Sequence, residues 1–133
     1  MKEIIIDASN ALLGRLASYA AKQSLLGHTV IIINCNEVVI SGNRRSVIEH
    51  YQRVKKRGGS ALNGPFFSRM PERIVKRTIR GMLPYKQGRG EAALDRIRCY
   101  NVTPIEYIES KKIKAGKEKP VHTLSLKEVS KEL

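Results

Sequence analysis

Residues 30–33 read Val-Ile-Ile-Ile, four consecutive β-branched residues that follow a helix stop at Gly27. Branching at Cβ suits a pleated strand, and an apolar run without alternation leaves no side for water. Such a strand is expected to be buried on both faces, as in a parallel sheet with helices either side. Upstream, Ile4 to Ile6 forms a shorter apolar run, and Leu12, Leu13, Leu16, Ala17, Ala20, Ala21 and Leu25 then recur at helical spacing. Strand, helix and strand in that order make a βαβ unit. Val38 to Ile40 is a weaker third strand candidate, and Ser41-Gly42-Asn43 punctuates the chain before a helix expected from about Arg44 to Lys56. Val47, Ile48, Tyr51 and Val54 fall on one side of that helix, which begins either there or at a capping box of Ser46 with Glu49. Later elements are a helix from Pro71 to about Met82, a short helix from about Glu91 and a strand at Ile97 to Tyr100.

The length, 133 residues, suits one domain that buries roughly two-thirds of its unfolded surface. A hydrophobic fraction of 41% argues against disorder despite the charge. Acids flank Ile4 to Ile6, so the N-terminus does not read as a signal peptide. No apolar run nears membrane-spanning length, and a cytoplasmic protein with no membrane partner is expected. Cys35 and Cys99 stand 64 residues apart, and His28, His50 and His122 are scattered. This spacing offers no metal site and reads as two buried thiols in a reducing compartment.

Charge divides the chain. Residues 1–41 hold three cations against three acids, whereas residues 42–98 hold fifteen against four, so +11 of the formal +13 lies in 57 residues. A concentration of one sign calls for a partner of the other, and a polyphosphate backbone is the commonest. Catalytic patterns are absent by contrast. Asp7 to Gly14 lies between strand and helix but has one glycine and no Walker lysine, and no nucleophile elbow, zinc-protease motif or carboxylate cluster occurs. Gly14 reads as a close-packing position, and Arg15 faces either solvent or a phosphate. Neither an enzyme, a cofactor nor a small-molecule substrate is indicated.

The chemistry lies in the basic segment. At 100° per residue, Arg73, Lys76, Arg77 and Arg80 fall within roughly a 100° arc, opposite Ile74, Val75, Ile79 and Met82. No acid stands at i+4 to neutralise them. Arg53, Lys55, Lys56 and Arg57 lead into Gly58-Gly59. Asn63 to Arg69 then forms a loop in which Phe66 and Phe67 either stack on bases or anchor to the core. Lys86-Gln87-Gly88-Arg89-Gly90 reads as a further mobile basic loop. With Arg15, Arg44 and Arg45, these fourteen cations, from Arg15 to Arg89, are the expected RNA-binding set.

Gly14-Arg15-Leu16-Ala17-Ser18, Ser41-Gly42-Asn43 and Arg80-Gly81-Met82-Leu83-Pro84 resemble the large-subunit ribosomal protein L-thirteen family. Gly64-Pro65-Phe66, Arg69 to Ile74 and Arg89 to Arg96 resemble its archaeal and eukaryotic branch. The resemblance covers about residues 4–102 and implies a three-layer α/β/α fold around a small, mostly parallel four-stranded sheet. It also implies a constituent of the large subunit that binds 23S-type rRNA and neighbouring ribosomal proteins, without a cofactor. Off-ribosome control of translation is the alternative. The turn at Gly81 to Pro84 reads as a device that aims the basic helix: Gly81 for a tight approach or helix end, Met82 and Leu83 as apolar anchors, Pro84 as a stop. Beyond Thr103 the likeness fades. There, a C-terminal extension over 103–133 is expected, with a polar linker over 111–117 and a terminal helix capped by Ser125 with Glu128. This helix meets either RNA, another protein or nothing.

Overall fold

The computed structural model describes residues 3–56, 68–109, 112–114 and 123–133. Strands β1 (Glu3–Asp7), β2 (Thr29–Ile33), β4 (Ile97–Cys99) and β5 (Ile113–Lys114) form an all-parallel sheet in the order β4-β2-β1-β5, flanked by helices. The βαβ expectation is met: β1 and β2 lie side by side, joined by α1 (Leu13–Leu25). Gly27 adopts φ +98°, a left-handed conformation that ends α1 at little steric cost.

Residues of β2 alternate between two apolar layers. Val30 and Ile32 join Ile6 in the main core, against Leu16, Ala17 and Ala20 of α1 and Ile74, Val75 and Ile79 of α3 (Pro71–Gly81). Ile31 and Ile33 join Ile5 on the other face, where Tyr100 and Tyr107 pack over them. All four β2 residues from Val30 to Ile33 are buried, as their branched run requires.

Three elements depart from the sequence reading. Strand β3 (Val39–Ser41) is outside the parallel sheet and pairs antiparallel with β6 (Thr123–Ser125). A 3-10 turn at Cys35–Glu37 carries the chain away from β2, and the backbone N–H of Val39 donates to Ala11 instead. The fourth parallel strand is β5, drawn from the stretch that read as a linker. Its two residues suffice to pair with Ile6 and Asp7, and Lys114 Nζ stands 3.8 Å from Asp7 Oδ2. Helix α4 spans Gly88–Asp95, so Gly88 to Gly90 are helical rather than part of a mobile basic loop.

The helix α2 spans Arg44–Lys56 as expected. Its first turn is held by Asn43 Oδ1, which accepts from the N–H of Arg45, so the start at Arg44 wins over Ser46. At the C-terminus, Ser125 Oγ accepts from the N–H of Glu128 and opens α5 (Leu126–Glu132). Leu126 is fully buried in the main core, and Val129 packs with Val47 and Leu124.

Polar groups at the carboxyl end of β1 satisfy one another. Asp7 Oδ1 accepts from Ser9 Oγ at 2.8 Å, Ser9 N at 3.1 Å and Asn34 Nδ2 at 3.1 Å, and Ser9 Oγ also reaches Glu37 at 2.7 Å. Burial pushes the Asp7 carboxyl up, but the bonds from Asn34 and Ser9, with the Lys114 charge, outweigh it and hold the pKa below its ordinary value. A depressed carboxylate adds stability above its unfolded pKa of about 3.9, and that stability is lost as pH falls through the folded value. Melting temperatures measured from about pH 6 to pH 2 should therefore fall more steeply for the wild type than for Asp7→Asn. Parallel curves would show that the network contributes nothing.

Candidate nucleic-acid interface

Helix α3 is fixed before it presents anything. Pro71 occupies its first turn, and Asn101 Oδ1, from beyond β4, accepts from the N–H of Glu72 at 3.1 Å. Ile74, Val75 and Ile79 are buried, and each contributes about 1.5–3 kcal/mol. Cations three and four apart on one helix repel by about 0.2–0.5 kcal/mol per pair. Burial therefore outweighs repulsion, and the fold can hold four cations on one side of the helix.

These four line one cleft. Arg73, Lys76, Arg77 and Arg80 surround a volume of about 270 Å3 with Ser68 and with Leu94 of α4, and no acid is among these lining residues. Lys76 Nζ donates to the carbonyl of Ile97 at 3.0 Å, which pins it to the start of β4. The Arg80 guanidinium sits 5.0 Å from the centre of the Tyr85 ring, a cation–π distance. An anion with several oxygens, spaced like successive phosphates, meets the chemistry of this cleft.

A second cleft of about 300 Å3 adjoins it, sharing Arg73 and Lys76 and adding Glu72, Arg98, Cys99 and Tyr100. Arg98 was not in the expected set because a parallel strand position is normally apolar. It lies on β4, the edge of the sheet, where one residue in two faces out between buried Ile97 and half-buried Cys99. Its sequence signal was the alternation Ile-Arg-Cys itself.

The remaining expected residues are dispersed. Arg15 is exposed on α1, Arg69 precedes α3, and Arg53, Lys86 and Arg89 are exposed. Arg44 faces Glu132 at 3.4 Å and Glu128 at 3.9 Å, and Lys55 Nζ donates to the backbone oxygen of Leu133. Both side chains thus hold α5 against α2. Arg45 pairs with Glu49 one turn on, at 3.1 Å. Exposed pairs of this kind are weak, about 0–1 kcal/mol, so a phosphate can compete for either arginine. Lys56 ends α2, while Arg57, Phe66 and Phe67 lie outside the described residues.

The turn after α3 meets its sequence reading in part: Gly81 is the last residue of the helix, the helix end that was one of its two readings. A Cβ at Gly14 or Gly81 would meet nothing within 4 Å, so neither glycine is needed for close packing. Leu83 is buried, but Met82 is exposed. The close approach is at Gly90, whose added Cβ would overlap the Pro84 carbonyl and lie 2.9 Å from the Tyr85 nitrogen. Cys35, in the 3-10 turn after β2, meets Cys99 at the end of β4. The hydrogen bond with Cys99 and then burial push the Cys35 thiol far above its ordinary range, so it stays protonated; Cys99 is only half-buried. Among the described residues, no group of three or more His, Cys, Asp or Glu is placed to hold a metal, and no helix is long and apolar enough to cross a membrane.

Fold and site together define a small parallel α/β domain that carries a cationic groove on one helix. A family model described as Ribosomal protein L13 matches residues 1–106, and the chain belongs to that family. Among its relatives, Large ribosomal subunit protein uL13 of Methanosarcina barkeri is 44% identical over 110 residues, 82% of this chain and 78% of that one. The protein of the same name from Thermoplasma volcanium is 41% identical and aligns over 97% of this chain and 96% of its own length. That of Caenorhabditis elegans is 43% identical over 86% of this chain and 57% of the nematode protein.

Proposed function

We propose that this chain is a structural constituent of the large ribosomal subunit, which binds large-subunit rRNA and helps organise it during assembly, and that it catalyses no reaction. The observation that carries the binding site is the acid-free lining of the α3 cleft by Arg73, Lys76, Arg77 and Arg80. Such a site holds the backbone of folded RNA by charge and shape rather than by reading a base sequence. Arg98, shared Arg73 and Lys76, and exposed Arg69, Arg53, Lys86, Arg89 and Arg15 extend the cationic surface. Family membership supports the ribosomal assignment. Neighbouring ribosomal proteins complete its surroundings, and the ribosome is its place in the cell.

A sucrose gradient of native lysate, with and without a high-salt wash, tests the assignment. The chain is expected to sediment with the large subunit and to survive the wash. A predominantly free pool would defeat the structural role and favour off-ribosome control of translation.

A further inference from the structure

The segment from Cys99 to Ser110 contains Glu106 and Glu109 and no Lys or Arg, although fifteen cations precede it in 57 residues. Tyr100 and Tyr107 of this segment pack on the face of the sheet opposite α1 and α3. Tyr107 turns inward from a 3-10 turn (Ile105–Tyr107) and packs with Tyr100 over Ile5, Ile31 and Ile33, the two rings 6.3 Å apart. That inward turn leaves the segment's aliphatic side chains outside: Ile105 is 89% exposed, Val102 64% and Ile108 55%. An exposed isoleucine alone means little, but three large aliphatics within seven residues make an apolar patch.

Charge around the patch decides what can cover it. Glu106 and Glu109 are exposed beside Ile105 and Ile108, and Glu3 is exposed at the start of β1, close enough, like Glu106, to act on Tyr107. Among the described residues, two cations stand at its margin. Lys112 Nζ is engaged by the carbonyl of Ile108 at 2.7 Å. Arg98, paired in register with Ile31 on this face and also close enough to act on Tyr107, reaches the second cleft that it shares with Arg73 and Lys76, which leaves three carboxylates against two cations. Lys114 is opposite Asp7. RNA would bring phosphates against three carboxylates and gain little from aliphatic side chains. A polypeptide gains from both features, provided that it carries apolar side chains and positive charge.

We propose that Val102, Ile105 and Ile108, rimmed by Glu3, Glu106 and Glu109, form a docking surface for a Lys- or Arg-bearing aliphatic segment of another large-subunit protein. The inference rests on the ribosomal assignment above and adds a second, protein-facing side to the molecule. RNA is held along α3, and protein is held across the opposite face of the sheet.

Photo-crosslinking tests it. The full chain, with photoreactive benzoyl-phenylalanine in place of Ile105, is assembled into large subunits, isolated and irradiated. At so exposed a position the substitution should leave thermal unfolding of the free chain unchanged. The expected product is a nuclease-resistant adduct to another protein, mapping by mass spectrometry to a peptide with Lys or Arg beside aliphatic residues. Its yield should drop when Glu106→Lys and Glu109→Lys are combined in the same chain. An adduct to RNA, or none, in subunits that contain the chain would overturn this inference alone. Absence of the chain from the subunits would overturn the ribosomal assignment and this inference together.

Discussion

Replacing Arg73, Lys76, Arg77 and Arg80 together with Gln is expected to lower affinity for large-subunit rRNA by a factor on the order of 10²–10³ at about 0.1 M salt. Each phosphate neutralised contributes about 0.7–0.9 to the slope of log affinity against log salt, so four cations account for roughly 3. Titrations at several salt concentrations should show the slope of the variant flattened by that amount, with the two proteins converging as salt approaches about 1 M. Gln retains the length and much of the apolar stem, and Ile74, Val75 and Ile79 still anchor the helix, so the fold should persist. The removed repulsion within α3 should even raise stability slightly. Circular dichroism checks that condition. An unchanged slope in a folded variant would place the RNA contact elsewhere on the surface, with Arg15, Arg53 and Arg69 the next residues to replace.

Gly90→Ala is expected to be the most damaging small substitution at the site. The new methyl group would overlap the Pro84 carbonyl, which is backbone and cannot rotate aside as a side chain would. Relief requires α4 to move away from the Pro84–Tyr85 turn. Overpacking of this kind costs about 3 kcal/mol, a large share of a small domain's stability, and should lower Tm by roughly 10 °C. The same movement displaces Leu94 from the cleft and disturbs Tyr85 beneath Arg80. RNA affinity should therefore fall even below the melting transition. Gly88→Ala supplies the comparison: it lies in the same helix, its Cβ would meet nothing within 4 Å, and it should be neutral or stabilising by up to about 1 kcal/mol. Equal melting temperatures for the two variants would refute the packing argument.

The contrast between these glycines shows where sequence reading stops. Gly81 stands in the segment Arg80-Gly81-Met82-Leu83-Pro84, where a tight approach and a helix end were both open, and it proves to be the helix end. The close approach belongs to Gly90, nine residues on, because α4 folds back across the turn. A residue's own neighbours in the chain cannot reveal which backbone will press against it. Similarly, Arg44 and Lys55 count as cations in any sequence tally, but both reach residues of the C-terminal end that lie about eighty positions away.

Sequence alone determined the elements whose signal is local. The branched run Val30 to Ile33, the helical spacing from Leu12 to Leu25 and the helix stop at Gly27 specify β1-α1-β2, and Pro71 with the two opposed faces that follow it specifies α3. It also determined that four cations share one arc of that helix, since the helical repeat is fixed by backbone geometry. Tertiary structure alone decided which strands complete the sheet: β3 left it for β6, and the two-residue β5 entered it. It also placed Arg98 beside Arg73 and brought Cys35 to Cys99. The physical reason is the same throughout. Periodicity and propensity act between residues a few positions apart, whereas strand partners, clefts and close contacts depend on which distant surfaces exclude water together.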